Sequence, residues 1–335
     1  MTKKIILDLD TGIDDALAIA YALGSPELDL IGITATYGNV TVGRSVRNSL
    51  AVLELLGRTD VPVFAGVGHS LTTDSFTPSE LSAFIHGGNG IGEIEIPTAR
   101  RNVEQQTATD FIIESAHRYG EDLTCIPTGA ATNIVAALEK DPTIKDAMGP
   151  IVMMGGALTT EGNVNKWTEA NVSQDPEATD RLFRSGAEVV MVGLDVTHQT
   201  LLTKAETSTW RDFGTEAGRC YADMTDYYID FETKAMDIAG CGLHDPLAVA
   251  VAADRSLVTL LPITMQVDLE GPTRGRTIGS LAGLSDPVKT VGVAVEVDVE
   301  RFLGEFMTRV GSVLSVGLSV GPEGWGGSTP GCPRA

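Results

Sequence analysis

Short apolar runs alternate along the chain with longer segments in which apolar residues recur at helical spacing. The run at residues 5–7 predicts a buried parallel strand, and residues 14–23 predict a helix that follows a turn at Gly12. Further strands are predicted at 28–36, 61–65, 123–127, 151–154, 189–194 and within 259–297, and further helices at 42–56, 107–119, from 132, from 175, within 204–237, at 247–253 and at 299–310. This alternation predicts an α/β fold with an open, mostly parallel, Rossmann-like sheet flanked by helices.

The chain is predicted to form one domain over residues 1–315. Its 335 residues are many for one domain, but a large α/β domain reaches this length, and no internal repeat or clear boundary interrupts the pattern. Residues 316–335 are rich in glycine and proline. We expect them to form a loosely ordered tail.

Two long segments, 66–101 and 155–174, lack a regular apolar period. Loops of this length are usually active-site lids or disordered segments. The first contains His86 followed by several glycines, whose spacing fits neither the G-x-G-x-x-G nor the G-x-x-x-x-G-K phosphate-binding pattern. His86 is therefore either a ligand contact or a solvated loop residue, and the sequence leaves both alternatives open.

The opening strand ends in a concentration of negative charge. Four acidic residues fall within eight positions, at Asp8, Asp10, Asp14 and Asp15. An acidic side chain in the first turn of a helix favours the positive end of the helix dipole, but capping needs only one. Because four carboxylates at one strand end repel one another, the pattern predicts a bound cation.

Polar residues recur where other predicted strands or loops end. In addition to Asp10, these positions are Asn39, Thr128, residues 163–171 and the pair His244-Asp245. Each has a local explanation when taken singly, such as a turn residue for Asn39 or a helix N-cap for Asp245. However, ligands bind beyond the carboxyl ends of parallel strands, where these residues are expected to converge. Carboxylates, amides and a carbonyl suit a hard cation, Ca²⁺ more than Mg²⁺ because many protein oxygens are available.

The composition narrows the class of partner. The 24 basic and 45 acidic residues give a formal net charge of −21, which argues against binding to a nucleic-acid backbone. No apolar run reaches the roughly 20 residues of a membrane span and no secretory segment precedes the first strand, so no membrane association is expected. The cysteines have no paired spacing and predict buried thiols in a reducing cytoplasm rather than disulfides or a zinc site: Cys125, Cys220, Cys241 and Cys332.

A nine-residue motif and an ordered series of shorter ones make the chain recognisable. Residues 8–16 read D-L-D-T-G-I-D-D-A. The shorter motifs are Gly38-Asn39, Arg47-Asn48, His86-Gly87, Pro127-Thr128-Gly129, Met154-Gly155-Gly156, Glu161-Gly162-Asn163, Glu169-Ala170-Asn171, Asp175-Pro176-Glu177-Ala178 and His244-Asp245-Pro246. Over residues 3–312 the chain thereby resembles the inosine-uridine preferring nucleoside hydrolase family. Thr11 replaces the proline of the family signature D-x-D-P-G-x-D-D-A, at a position that stiffens the loop rather than binding a ligand.

The resemblance implies a nucleoside hydrolase fold and a function. The expected reaction is Ca²⁺-dependent hydrolysis of the N-glycosidic bond of ribonucleosides of the inosine, uridine and cytidine class, which releases the free base and ribose. The implied Ca²⁺ ligands are Asp10, Asp15, Asp245 and the backbone carbonyl of Thr128. The implied ribose-binding residues are Asp14, Asn39, Asn163, Glu169 and Asn171. A homodimer or homotetramer is implied on the same ground.

The resemblance also implies catalytic roles. Cleavage of an N-glycosidic bond passes through an oxocarbenium-like transition state. Asp10 would act as general base on a calcium-bound water, and His244 would protonate the leaving base. The alternative for His244 is a structural role at a helix start. His86 is expected to contact the base or the 5′ side.

Base preference is the least determined property. Tyr228 matches a position where the family often has an aromatic residue, and it is expected to contact the substrate. One turn later, Glu232 stands where some broad-specificity members have an aromatic residue, which argues against purine stacking at that position. Trp167 and Phe231 are either compensating stacking residues or packing residues.

Two other functions compete with the hydrolase interpretation. Haloacid-dehalogenase-like Mg²⁺ phosphatases carry a D-x-D-x-T motif at the end of their first strand, and Asp8, Asp10 and Thr11 nearly match it. That class gives no purpose to Asp14 and Asp15. The second alternative is a catalytically silent, Ca²⁺-dependent nucleoside-binding protein, which nothing in the sequence favours.

Overall fold

The computed structural model describes residues 2–236 and 238–316, so the predicted tail lies, from residue 317 onward, outside the described residues. The strands are β1 (Lys3–Leu9), β2 (Leu28–Ala35), β3 (Val63–Ala65), β4 (Leu123–Pro127), β5 (Ile151–Met154), β6 (Val189–Val192), β7 (Leu201–Leu202), β8 (Cys241–Gly242), β9 (Val258–Ile263), β10 (Met265–Val267), β11 (Thr277–Gly279) and β12 (Val291–Val297). The helices are α1 (Ile13–Leu23), α2 (Val42–Leu55), α3 (Glu80–His86), α4 (Ala108–Tyr119), α5 (Thr132–Lys140), α6 (Ile144–Ala147), α7 (Ala170–Gln174), α8 (Pro176–Arg184), α9 (Leu194–Thr197), α10 (Lys204–Arg211), α11 (Glu216–Met236), α12 (His244–Ala253) and α13 (Val299–Leu314).

Eight strands form one central sheet in the order β3-β2-β1-β4-β5-β6-β12-β9. Every neighbouring pair is parallel except β12 and β9, where β9 runs antiparallel at the edge. The remaining short strands pair as two separate ribbons, β10 with β11 and β7 with β8. The predicted α/β fold with an open, mostly parallel sheet is confirmed. No helix in the described ranges is long and apolar enough to cross a membrane.

Helices cover both faces of the sheet because the central strands are apolar on both faces. On β1, Ile5 and Leu7 belong to one hydrophobic core and Ile6 belongs to the other, as the alternation of side chains along a strand requires. The first core packs against α1, α2, α12 and α13, and the second packs against α4, α5 and α8.

The strand order reverses between β1 and β4, because β2 and β3 continue on one side and β5 and β6 on the other. Such a reversal separates the loops that follow the two central strands and opens a crevice at their carboxyl ends. The residues that follow these strands are Asp10 and Thr128. The fold therefore places both at the standard ligand position of an open α/β sheet.

Four local elements differ from the sequence-based expectation. The two predicted loops each contain a short helix, α3 in the first and α7 at the end of the second. β6 ends at Val192, so Asp195 lies in α9 rather than at a strand end. Helix α12 begins at His244 instead of Leu247. Short helices of this kind depend on capping and tertiary contacts, which an apolar period does not reveal.

Candidate active site

The candidate active site is built around the turn that joins β1 to α1. Asp15 accepts a hydrogen bond from the backbone N–H of Gly12 at 2.7 Å and another from the hydroxyl of Thr128 at 2.8 Å. The backbone N–H of Thr128 donates to the carbonyl of Asp8 at 2.9 Å. These contacts hold the end of β4 against the end of β1, so both sides of the crevice contribute to one site.

Three carboxylates approach one another at this edge of the sheet. Asp14, Asp15 and Asp245 each offer one oxygen, and these oxygens lie within 4.8 Å of one another. Burial raises the pKa of Asp14 to about 6 and the pKa of Asp15 to about 7. Burial also raises the pKa of Asp245, and the negative charges of Asp14 and Asp15 add to that rise. A positive charge between the three groups would favour the ionised form of each.

Asp245 supplies the strongest indication of a cation. Both of its carboxylate oxygens are buried, and neither has a hydrogen-bond partner in the described part of the chain. The N-cap of α12 is Leu243, so the N-cap explanation for Asp245 is wrong. Buried carboxylate oxygens without donors fit a hard divalent cation, which binds to oxygen ligands such as carboxylates.

Asp10 lies beside these carboxylates but is held differently. Its oxygens accept the backbone N–H of Asn39 and, at 3.3 Å, the side-chain amide of Asn39. A Cβ added at Gly38 would stand 2.1 Å from Asp10 Oδ2, and one added at Gly129 would stand 3.0 Å from Asp10 Cγ. Two glycines therefore leave the space that Asp10 occupies. Burial raises the pKa of Asp10, and the negative charge of Asp15 adds to the rise.

The closest group of three carboxylates includes Asp14 and not Asp10, whereas the resemblance implied Asp10 as a metal ligand and Asp14 as a ribose contact. The charges of Asp14, Asp15 and Asp10 all act on Asp245, so the four carboxylates share one buried region. The division of these aspartates between metal and ribose stays a prediction.

Asp8, on β1, is hydrogen-bonded to residues of β2 and α5 next to the site. It is buried at 0% exposure, and its Oδ1 accepts the hydroxyl of Thr34 at 2.6 Å and the side-chain amide of Asn133 at 2.8 Å. Burial raises the pKa of Asp8 to about 7. Asn133 was not among the predicted site residues, although its place at the start of the helix after Thr128 was a usable signal.

The predicted ribose-binding residues of the second long loop lie beyond β5. Glu169 is the N-cap of α7, and its carboxylate accepts three backbone N–H groups of this region at 2.8–3.0 Å. Asn171 donates to the carbonyl of Met154 at 3.2 Å, and Asn163 accepts the N–H of Ala170 at 2.9 Å. These contacts orient the three side chains. The charge of Asp14 also raises the pKa of Glu169, after the larger effect of burial.

His86 and Tyr228 lie together at the start of α1. His86 is 5% exposed at the end of α3, so the solvated-loop alternative is wrong. Its Nδ1 accepts the N–H of Ile13 at 3.3 Å and lies 3.9 Å from a carboxylate oxygen of Asp14. The His86 and Tyr228 rings are 5.5 Å apart between centroids. Burial lowers the pKa of His86 to about 4, so a neutral imidazole faces this region near pH 7.

His244 is buried directly before Asp245. Its Nδ1 forms a 2.7 Å hydrogen bond with the hydroxyl of Thr197, and a Cβ added at Gly242 would stand 2.6 Å from its Nε2. Burial lowers the pKa of His244 to about 3. Thr197 was not predicted as a partner, because its helix, α9, was expected to be a strand end. The role of His244 as a proton donor stays a prediction.

Comparison with known proteins agrees with this geometry. The sequence profile described as "Inosine-uridine preferring nucleoside hydrolase" matches residues 5–304, which is nearly the whole chain. The chain belongs to this family. It is an N-glycosidase acting on ribonucleosides, and the phosphatase alternative is set aside. The family is metal-dependent, and the buried aspartates could bind a metal ion.

Several relatives align over nearly their full length. The inosine-uridine preferring nucleoside hydrolase of Crithidia fasciculata is 35% identical, with 93% of this chain and 99% of the relative covered. The pyrimidine-specific ribonucleoside hydrolase RihA of an Escherichia coli strain is 33% identical, with 92% and 99% covered. The solved structure of a purine-preferring ribonucleoside hydrolase from Gardnerella vaginalis is 63% identical, with a TM-score of 0.92 and 94% and 100% covered.

Proposed function

We propose that this nucleoside hydrolase catalyses Ca²⁺-dependent hydrolysis of the N-glycosidic bond in ribonucleosides of the inosine, uridine and cytidine class. The observation that carries the proposal is the pair of buried oxygens of Asp245, which have no hydrogen-bond partner among the described residues and lie beside Asp14 and Asp15. Asp10, Asp15, Asp245 and the backbone carbonyl of Thr128 are the proposed ligands. An all-oxygen set of this size suits Ca²⁺ more than Mg²⁺. When bound, the ion would neutralise the carboxylates and lower the pKa of the attacking water.

Asp10 is the proposed general base. Its carboxylate is fixed by two hydrogen bonds from Asn39, which leaves lone pairs to take a proton from water. The neighbouring carboxylates would stabilise the positive charge that develops on the sugar.

Asp14, Asn39, Asn163, Glu169 and Asn171 are the proposed ribose-binding residues. Vicinal hydroxyl groups both donate and accept hydrogen bonds, so a mixture of carboxylates and amides suits them. The carboxylate of Glu169 accepts N–H groups that fix its position before substrate binds. Preorganised contacts of this kind lower the entropic cost of positioning the sugar.

His244 is the proposed proton donor to the leaving base. Its hydrogen bond to Thr197 engages Nδ1, so Nε2 is the nitrogen assigned to the proton. Because burial lowers the pKa of His244 to about 3 without substrate, the proposal requires that the bound nucleoside and its leaving base raise this pKa. We expect His244→Gln to slow the nucleoside with the poorest leaving group by about 100-fold and the best by less than tenfold, because an acid matters most for poor leaving groups. Initial rates over nucleosides with bases of increasing acidity measure this. An equal loss for all substrates would indicate a structural role.

One assay tests the function as a whole. We expect the purified protein to release ribose, measured as reducing sugar, from inosine or uridine in the presence of Ca²⁺. Excess chelator should abolish the release and Ca²⁺ should restore it. Nucleoside binding without ribose release would indicate the catalytically silent alternative, and no release from a broad nucleoside panel would contradict the hydrolase proposal.

We also propose a base preference, a domain organisation, an oligomeric state and a cellular location. Relatives named for purines and for pyrimidines both align with the chain, and the 63% identity of the purine-preferring one favours purines. We propose that residues 1–315 form a single domain and that the protein forms a homodimer or homotetramer. A reducing cytoplasm is supported by the buried free thiols of Cys125, Cys220 and Cys241, while Cys332 lies outside the described residues.

A further inference from the structure

Glu232 is a buried carboxyl group that has no role in the site described above. It lies on α11 with 7% of its surface exposed. Burial raises the pKa of Glu232 to about 7, the negative charge of Asp14 adds to the rise, and no hydrogen bond or cation in the described ranges offsets it. Acidic residues are rarely buried to this extent unless they have a partner or a function, so the position of Glu232 requires an explanation.

The other acidic residues of α11 show what a structural carboxylate does on this helix. Asp230 pairs with Lys204 at 2.6 Å, and Asp223 and Asp226 both pair with Arg211, at 2.7 and 2.9 Å. All of these are surface ion pairs. Glu232 faces inward instead, and its carboxyl group does not stabilise the helix through such a pair.

Glu232 is close to the catalytic cleft. Residues four apart share one face of a helix, so Glu232 lies one turn beyond Tyr228, whose ring is 5.5 Å from the ring of His86. The charge of Asp14 acts on Tyr228 and Glu232, and also on Glu169 in the loop beyond β5. The charge of Asp14 therefore acts on α11 and on the loop beyond β5. His86 lies between Asp14 and Tyr228, at 3.9 Å from a carboxylate oxygen of Asp14 and 5.5 Å from the Tyr228 ring, so a nucleoside whose ribose contacts Asp14 has this part of α11 within reach of its base.

We propose that Glu232 is a base-specificity residue that accepts hydrogen bonds from the N–H edge of a 2-amino-6-oxopurine. This inference rests on the proposed nucleoside hydrolase function and specifies the base. The N1–H and 2-amino groups of guanine are adjacent donors, and a carboxylate offers two oxygens with matching spacing. Hypoxanthine keeps N1–H and lacks the amino group, and uracil has one N–H between two carbonyl acceptors. The buried acceptors of Glu232 are therefore matched best by guanosine.

The test compares kcat/KM for guanosine and inosine, which differ only in the 2-amino group. We expect the unsubstituted protein to prefer guanosine by about tenfold or more, since one charge-assisted hydrogen bond distinguishes the two substrates. In Glu232→Gln, the side-chain NH₂ group faces one of the N–H donors of guanine, and two donors cannot form a hydrogen bond. The value of kcat/KM should therefore fall about 100-fold for guanosine and about tenfold for inosine. The matched control is Asp230→Asn on the same helix, which should leave both values unchanged.

Thermal unfolding and a second substitution separate recognition from stability. Glu232→Gln removes a buried carboxyl group whose raised pKa is offset by no hydrogen bond or cation of the described residues, so its melting temperature should equal or exceed that of the unsubstituted protein. Glu232→Asp should keep the guanosine preference but weaken it, because the carboxylate is retained on a shorter stem. Equal losses for both nucleosides, or a lowered melting temperature with an unchanged ratio, would overturn the assignment of Glu232 while leaving the hydrolase function intact. Absence of ribose release from either nucleoside would overturn both.

Discussion

Replacing Asp10 with asparagine is expected to lower kcat by about 10³-fold or more. The substitution preserves the size of the side chain and removes the group that would take the proton from water. Asn39 still offers its backbone N–H to the oxygen that remains, and Gly38 and Gly129 still provide the space, so the fold should be retained. Ribose release under saturating inosine and Ca²⁺ measures the loss. Calorimetric titration with inosine should show binding within about tenfold of the unsubstituted protein.

The control for Asp10 is Asp29→Asn, which removes a carboxylate from the surface. Asp29 pairs with Lys4 and has 43% of its side chain exposed, so its loss should leave kcat unchanged. Turnover of Asp10→Asn within tenfold of the unsubstituted protein would assign the base to another group. A proportional loss of Ca²⁺ binding would indicate that Asp10 acts mainly as a metal ligand.

Replacing Asp245 with asparagine is expected to weaken Ca²⁺ binding by about 100-fold and to abolish turnover at micromolar Ca²⁺. A 100-fold weaker affinity removes about 2.7 kcal/mol of calcium-linked stability when the ion is in large excess. The metal-free variant should nevertheless melt at the same or a higher temperature, since the carboxyl group removed is buried and has no hydrogen-bond partner in the part of the chain that the structure describes. Melting curves with and without Ca²⁺ measure both effects. Asp146→Asn, an exposed position on α6, is the matched control.

The same cluster predicts a dependence on pH. Burial raises the pKa of Asp14 to about 6 and of Asp15 to about 7 in the metal-free fold, from an ordinary value of 3.8. Between pH 4 and 7 the folded state therefore binds more protons than the unfolded state, and the free energy of unfolding falls as pH rises. Ca²⁺ requires the ionised carboxylates, so it should raise the melting temperature more at pH 8 than at pH 5. A Ca²⁺ effect that is equal at both pH values, or that is undiminished in Asp245→Asn, would place the ion elsewhere.

Local patterns were sufficient to predict most regular elements. The first strand and helix, the parallel sheet and the helix after Asp175 were correctly predicted, because buried strands and capped helices leave periodic and positional signals in the sequence. The short helices α3 and α7 were missed. Their formation depends on tertiary contacts, such as the packing of α3 against α11, and not on an apolar period.

The candidate active site also combines features that a local sequence pattern reveals with features that only the fold creates. The aspartates of residues 8–15 lie next to one another in the chain, so the excess of negative charge was visible as a local pattern. Only the fold brings Asp245 within 4.8 Å of Asp14 and Asp15, because α12 packs beside α1. Burial and hydrogen bonding of a side chain are likewise properties of its surroundings. This explains why His86 could not be distinguished from a solvated loop histidine before its position against α1 was known.

The sequence by itself determined the fold class, the edge of the sheet that carries the site and the family, because these follow from periodicity and from ordered motifs. The tertiary structure alone decided which carboxylates share a buried volume, which of them lack a hydrogen-bond donor among the described residues, and that Glu232 faces inward near Tyr228. Desolvation and electrostatic coupling act through space. They depend on distances between residues that are far apart in the chain, and a sequence pattern does not contain those distances.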